Sequence, residues 1–225
     1  MAIQLKSTKG LHANGVKILV YGMSGAGKTS LIPTLPEPIV LSAEGGLLSI
    51  ADADVPFIEI GDMNTLMDAY SFVTESAEAG QFQSIALDSI SEIAEVVLNA
   101  EKKKTKDPRQ AYGELMTQMQ DLIRAFRDIN GKHVYFTAKC EKSQDEQGRI
   151  LYAPSMPGAK LGQQLPYFFD EVFALRVEKG EDGKNVRALQ CDTDGLWSAK
   201  DRSGKLEPWE LPDLGEIIKK IGGEA

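Results

Sequence analysis

The 225-residue sequence predicts an α/β fold: a mostly parallel central sheet flanked by helices, with an antiparallel C-terminal hairpin. Three observations carry this expectation. Short apolar, partly β-branched runs alternate with stretches of helical periodicity, as in parallel strands joined by crossover helices. A glycine-rich loop links the first run to the start of a helix. Late in the chain, two strand-like runs flank the turn Glu181-Asp182-Gly183-Lys184, the signature of a hairpin.

The elements follow in order. Lys17-Ile18-Leu19-Val20-Tyr21 reads as a strand, and a short helix is expected from Lys28 until Pro33 stops it. Pro38-Ile39-Val40-Leu41-Ser42 and Phe57-Ile58-Glu59-Ile60 are the next strands. Residues 65–79 form a helix with Asn64 as N-cap and Gly80 as stop. Ser84-Ile85-Ala86-Leu87-Asp88 is a strand, and Ile90, Ile93, Ala94, Val97 and Leu98 define one face of a helix over 90–104. Leu115, Met119, Leu122, Ile123 and Phe126 define another, ending near Gly131. His133-Val134-Tyr135-Phe136-Thr137 is a further strand. Residues 141–165 are polar, then rich in Pro and Gly, and read as a long loop. Strands over 169–177 and 186–191, a strand at Leu196-Trp197-Ser198 and an amphipathic helix over 213–221 complete the chain. No repeat or linker divides it, so one domain is expected, preceded by a 1–15 extension.

Composition narrows the function. There are 25 Lys+Arg against 33 Asp+Glu, a formal net charge of −8. That argues against coating nucleic acid by bulk charge and leaves room for a local basic groove. A domain of this length buries roughly 70% of its unfolded surface and needs no staple. The two cysteines, Cys140 and Cys191, fit a reducing cytoplasm, and His12 and His133 are too far apart in sequence for a zinc cluster. No apolar run has the length of a membrane span.

The strongest chemical signal is Gly22-Met23-Ser24-Gly25-Ala26-Gly27-Lys28-Thr29, a gapless G-x-x-x-x-G-K-[ST] after a strand. Its glycines let backbone N–H groups curl around phosphate oxygens, and the following helix turns its positive end to the same anion. Gly22, Ser24, Gly25, Ala26, Gly27, Lys28, Thr29 and Ser30 are therefore the expected ATP-binding residues. Lys28 reaches the β- and γ-phosphates and the Thr29 hydroxyl ligates Mg2+. Asp88, ending its strand, is the second magnesium candidate; a helix cap is its plainer reading. Ser89 follows it, so the frequent second acid is absent there. Glu44, at the end of the next strand after the cradle, is the candidate base, against the plainer reading of a solvated loop residue.

Together, the glycine loop, Ala43-Glu44 and Asp88-Ser89 resemble the RecA-like recombinase core, a P-loop NTPase fold. The chain's size and the stretches 154–160, 165–172 and 199–202 are similar to the phage-encoded RecA-like ATPases of the Sak type. The resemblance implies a Mg-dependent, DNA-stimulated ATPase acting in single-strand annealing and recombination. It implies single-stranded DNA as partner, a homo-oligomeric ring or filament with nucleotide between subunits, a single-strand-binding protein as a further partner, and the bacterial host cytoplasm as location. It assigns Glu44 to water activation and Thr137 or Lys139 to sensing the γ-phosphate. It also implies a basic residue from the neighbouring subunit, for which Lys200 and Arg202 are the candidates; an exposed turn is the alternative.

Two segments are candidates for DNA. Lys102, Lys103, Lys104, Lys106 and Arg109 form the densest basic run, either a solvated helix end or a backbone-binding loop. The 141–165 loop carries Lys142, Arg149 and Lys160, with Tyr152 either stacked on a base or packed. The competing function is a P-loop ATPase that remodels or packages other molecules without DNA affinity.

Overall fold

The computed structural model describes residues 14–144, 147–180 and 182–223. Among these residues ten strands form one sheet: β1 (Lys17–Gly22), β2 (Pro38–Ser42), β3 (Phe57–Glu59), β4 (Ser84–Asp88), β5 (His133–Gln144), β6 (Ile150–Ser155), β7 (Glu171–Lys179), β8 (Asn185–Gln190), β9 (Lys200–Asp201) and β10 (Trp209–Glu210). The helices are α1 (Met63–Glu75), α2 (Ile90–Lys104), α3 (Pro108–Arg127), α4 (Ala159–Gln164) and α5 (Leu214–Gly222). Strand order is β10-β8-β7-β1-β5-β4-β2-β3, with β6 on β5 and β9 on β7. The run from β7 to β3 is parallel, and β6, β8, β9 and β10 are antiparallel, as the sequence predicts in outline.

Strand alternation builds two cores, because successive side chains face opposite sides. Leu19, Tyr21, Leu41, Leu87 and Phe136 pack under α2 and α3 against Ile93, Val97, Met119 and Phe126. Ile18, Val20, Val40, Ala86 and Tyr135 face the other way, against Leu31, Ile32 and the α5 residues Leu214, Ile217 and Ile221. Both faces are covered, so the central strands read as unbroken apolar runs.

Several local expectations change. The segment after Lys28 is a 3-10 turn, Thr29–Thr34, with Pro33 inside it; a ring that blocks an α-helical interior is tolerated in so short a turn. Asp62, not Asn64, caps α1, accepting from the Thr65 N–H at 2.8 Å. Ser89, not Asp88, caps α2. The expected 141–165 loop is largely ordered by pairing. β5 runs on to Gln144 and returns through β6, in register from Lys139↔Ser155 to Gln144↔Ile150. The stretch then continues as α4. Trp197 makes a single bridge to Tyr152 where a strand was expected, and the strand begins instead at Lys200. The 1–15 extension lies outside the described residues up to residue 13, and His12 with it. Among the described residues, no helix is long and apolar enough to cross a membrane.

At the edge where β1 and β7 begin, Glu171 is 1% exposed and its Oε2 has no hydrogen-bond partner among the described residues. Burial, and the Asp201 carboxylate hydrogen-bonded to it, push Glu171 up to about 8. A raised folded-state value means that the native state holds a proton the unfolded chain releases. The stabilising contribution is present below the ordinary glutamate range and is lost as pH rises toward 8. Glu171→Gln keeps the neutral shape. In urea unfolding, the variant should gain stability relative to wild type as pH rises from 5 to 9. A constant difference across that range would contradict the assignment.

Candidate nucleotide site

Parallel strands bring their C-terminal ends to one edge. Register aligns Val20 with Thr137, Gly22 with Lys139 and Ser42 with Asp88, so residues far apart in sequence meet there. Because β5 lies between β1 and β4, Thr137 stands between the glycine loop and Asp88.

Asp88 is the centre. It is 2% exposed, and its carboxylate accepts from the Thr29 hydroxyl at 2.7 Å and from the Thr137 hydroxyl. The Lys28 ammonium crosses the loop to the carbonyls of Gly22 (3.0 Å) and Met23 (3.3 Å). Burial lowers its pKa, opposed by the Glu44 and Asp88 carboxylates, which favour the charged form. Gly25 and Gly27 have φ of 76° and 103°, backbone that glycine adopts without a Cβ penalty. Tyr135, buried beneath the loop, donates to the Lys28 carbonyl at 2.9 Å.

Glu44 follows β2 and is exposed. Its Oε1 accepts from the Ser89 hydroxyl, and the Ser89 Oγ in turn accepts from the Glu92 N–H at 3.3 Å. The cap of α2 thereby orients the candidate base. Lys139 pairs with Glu92 at 2.6 Å, and that bond raises the Lys139 pKa. Ser24 and Ser30 lie on the loop and the turn after it.

The donor set fits a magnesium nucleotide. Thr29 and Asp88 offer adjacent hard oxygens, and the Ser42 hydroxyl, on the residue in register with Asp88, is buried without a partner among the described residues. Thr29, Asp88 and water would hold the ion, while the loop N–H groups and Lys28 would hold the phosphates.

The remaining candidates lie elsewhere. Lys200 and Arg202 sit beside the start of β7, at the edge opposite the glycine loop. The Lys200 ammonium is held by the carbonyls of Pro166 (2.7 Å) and Phe169 (2.6 Å), and Arg202 pairs with Asp170 at 3.0 Å. Neither belongs to its own chain's cradle, and Lys200 is committed to internal contacts. Tyr152 is half-buried and stacks on Trp197 with centroids 4.1 Å apart, which packs one face of its ring. Lys102, Lys103 and Lys104 form the last turn of α2; Lys104 pairs with Glu101 at 2.6 Å, and Lys102 lies over the Tyr112 ring at 5.8 Å. That ring lies beside Gly158, the N-cap of α4, which brings the Lys102 corner toward Lys160. Lys106 and Arg109 are exposed at the α2–α3 corner, Lys142 lies on the outer part of β5, and Arg149 lies between β5 and β6.

Two contacts escape sequence reading. One is the Ser89–Glu44 bond. The other is Arg187 of β8, whose Nε donates to the Ala26 carbonyl at 2.8 Å. No local spacing signals either, since both join separate segments.

The fold and this cluster define a P-loop ATPase domain. Residues 14–203 match the family model described as AAA domain, and the chain belongs to that family. No curated protein matches. Among solved structures, the chain is similar to a prototypical ATPase from the type III secretion system of pathogenic bacteria, at 14% identity and a TM-score of 0.51. The match covers 72% of this chain and 52% of that one, so the likeness is one of fold and this chain spans about half the other's length.

Lys28→Ala removes the cation within the loop and should abolish ATP turnover, measured by phosphate release. Glu44→Gln should bind nucleotide as wild type does and lose roughly 10²-fold in kcat, the range for a lost general base. Wild-type turnover in either variant contradicts the corresponding role.

Proposed function

We propose that the protein hydrolyses ATP with Mg2+ and couples that cycle to single-stranded DNA, in phage-type annealing or recombination. The observation that carries the enzymatic part is the convergence of Lys28, Thr29, Asp88 and Glu44 on one sheet edge. In this reading Lys28 neutralises phosphate oxygens, and Glu44, oriented by Ser89, takes the proton of the attacking water. A bound magnesium ion supplies Lewis-acid neutralisation of the phosphate charge. Thr137, bonded to Asp88, and Lys139, bonded to Glu92, are the sensor candidates on β5. β5 continues from them into the hairpin that bears Lys142. Arg202 is the better candidate for reaching a neighbouring subunit, because Lys200 is held inside its own chain.

The DNA part rests on the resemblance to the Sak-type ATPases and on the basic corner. The run from Lys102 to Arg109 adjoins the Tyr112–Gly158 contact, which links it to the segment bearing Lys160. A backbone-binding corner of this kind releases counterions on binding. Single-stranded oligonucleotide should therefore bind more tightly with ATP analogue and magnesium, and more weakly as salt rises. Replacing Lys102, Lys103, Lys104 and Lys106 together should flatten the salt slope, read by fluorescence anisotropy. Absence of binding at low salt would overturn the DNA reading and leave the remodelling or packaging role.

A further inference from the structure

Arg187 lies far from the glycine loop in sequence and against it in space. β8 carries it opposite Val177 of β7, and the same face of this hairpin buries Leu175 and Leu189 in the core beneath the loop. The side chain thus starts from a fixed base. Its Nε donates to the Ala26 carbonyl at 2.8 Å. The guanidinium also crosses Gly27 so closely that a Cβ there would come within 3.2 Å of Nε. Gly27 therefore does two things: it adopts a φ of 103° and leaves room for this arginine.

A trans peptide is planar, with its C=O and N–H pointing in opposite directions. Holding the Ala26 carbonyl toward Arg187 turns the N–H of the same peptide, that of Gly27, away from the arginine. That N–H is one of those a phosphate cradle uses. We propose that Arg187 is a positioning residue of the nucleotide site, acting within its own subunit. It fixes the Ala26–Gly27 peptide plane for the β-phosphate and adds a permanent positive charge beside the loop. The inference rests on the nucleotide-binding reading and extends it to the β7–β8 hairpin, which becomes part of the ATP site. A β-phosphate contact is common to ADP and ATP, so both nucleotides should depend on Arg187. A γ-phosphate contact would favour ATP alone.

The test is equilibrium titration of the full chain with fluorescent ADP and ATP analogues. Arg187→Ala should weaken both roughly tenfold or more, as expected for losing a charge-assisted contact. Its kcat at saturation should change less than its KM, and its melting temperature without nucleotide should match wild type. Arg187→Lys keeps the charge and one donor and should recover most of the affinity, which a purely structural lesion would not allow. At subsaturating ATP, mixing Arg187→Ala with Lys28→Ala protein should not raise turnover above that of Arg187→Ala alone, since both lesions strike the same subunit's cradle. Wild-type affinity for ADP in Arg187→Ala, or recovery on mixing, would overturn the proposal. If wild type itself binds neither nucleotide, the cradle reading fails and takes this inference with it.

Discussion

A carboxylate buried at 2% exposure is costly unless donors surround it, and the arrangement around Asp88 is organised by that requirement. Among the described residues its donors are Thr29 and Thr137, from the turn after the glycine loop and from the strand between β1 and β4. Meeting them requires the order β1-β5-β4 and the registers that align the strand ends. Sheet topology and the chemistry of one side chain are thus the same constraint seen at two scales. Ser89, next in sequence, caps α2 and holds Glu44, so a few residues serve the strand end, the helix start and the candidate base.

The C-terminal hairpin extends this edge. On one face of β7, Arg176 lies over the Trp197 ring at 4.3 Å, and Trp197 stacks on Tyr152 and Tyr21. The Tyr21 hydroxyl donates to the Tyr152 carbonyl at 3.0 Å. Tyr21 immediately precedes Gly22, so the strand leading into the cradle is tied to the β5–β6 arm. On the opposite face, β8 brings Arg187 to the loop itself. The cradle is held from both sides of the sheet by residues outside its motif.

Where chemistry and spacing are local, the sequence was readable. The glycine loop, Asp88 at a strand end, and the helix over 90–104 all follow from neighbours in the chain, and the structure has α2 at Ile90–Lys104. Glu44 was legible as a strand-end acid, but the hydroxyl that orients it was not. The misread elements are those decided by partners distant in sequence. The outer part of β5, residues 141–144, and all of β6 fall in the stretch that reads as loop, yet they pair strand to strand. Lys200 looked available because the carbonyls of Pro166 and Phe169 that hold it lie more than thirty positions away. Arg187 lies 161 positions from its acceptor, and no periodicity encodes such a contact.

In the proposed mechanism Asp88, through its contact with Thr29, makes nucleotide binding depend on the metal. The direct measurement is the affinity for a fluorescent ATP analogue with magnesium and with the metal chelated, in wild type and Asp88→Asn. Magnesium should tighten binding to wild type and have little effect on the variant, while both proteins should bind comparably without metal. An undiminished magnesium effect in Asp88→Asn would contradict it.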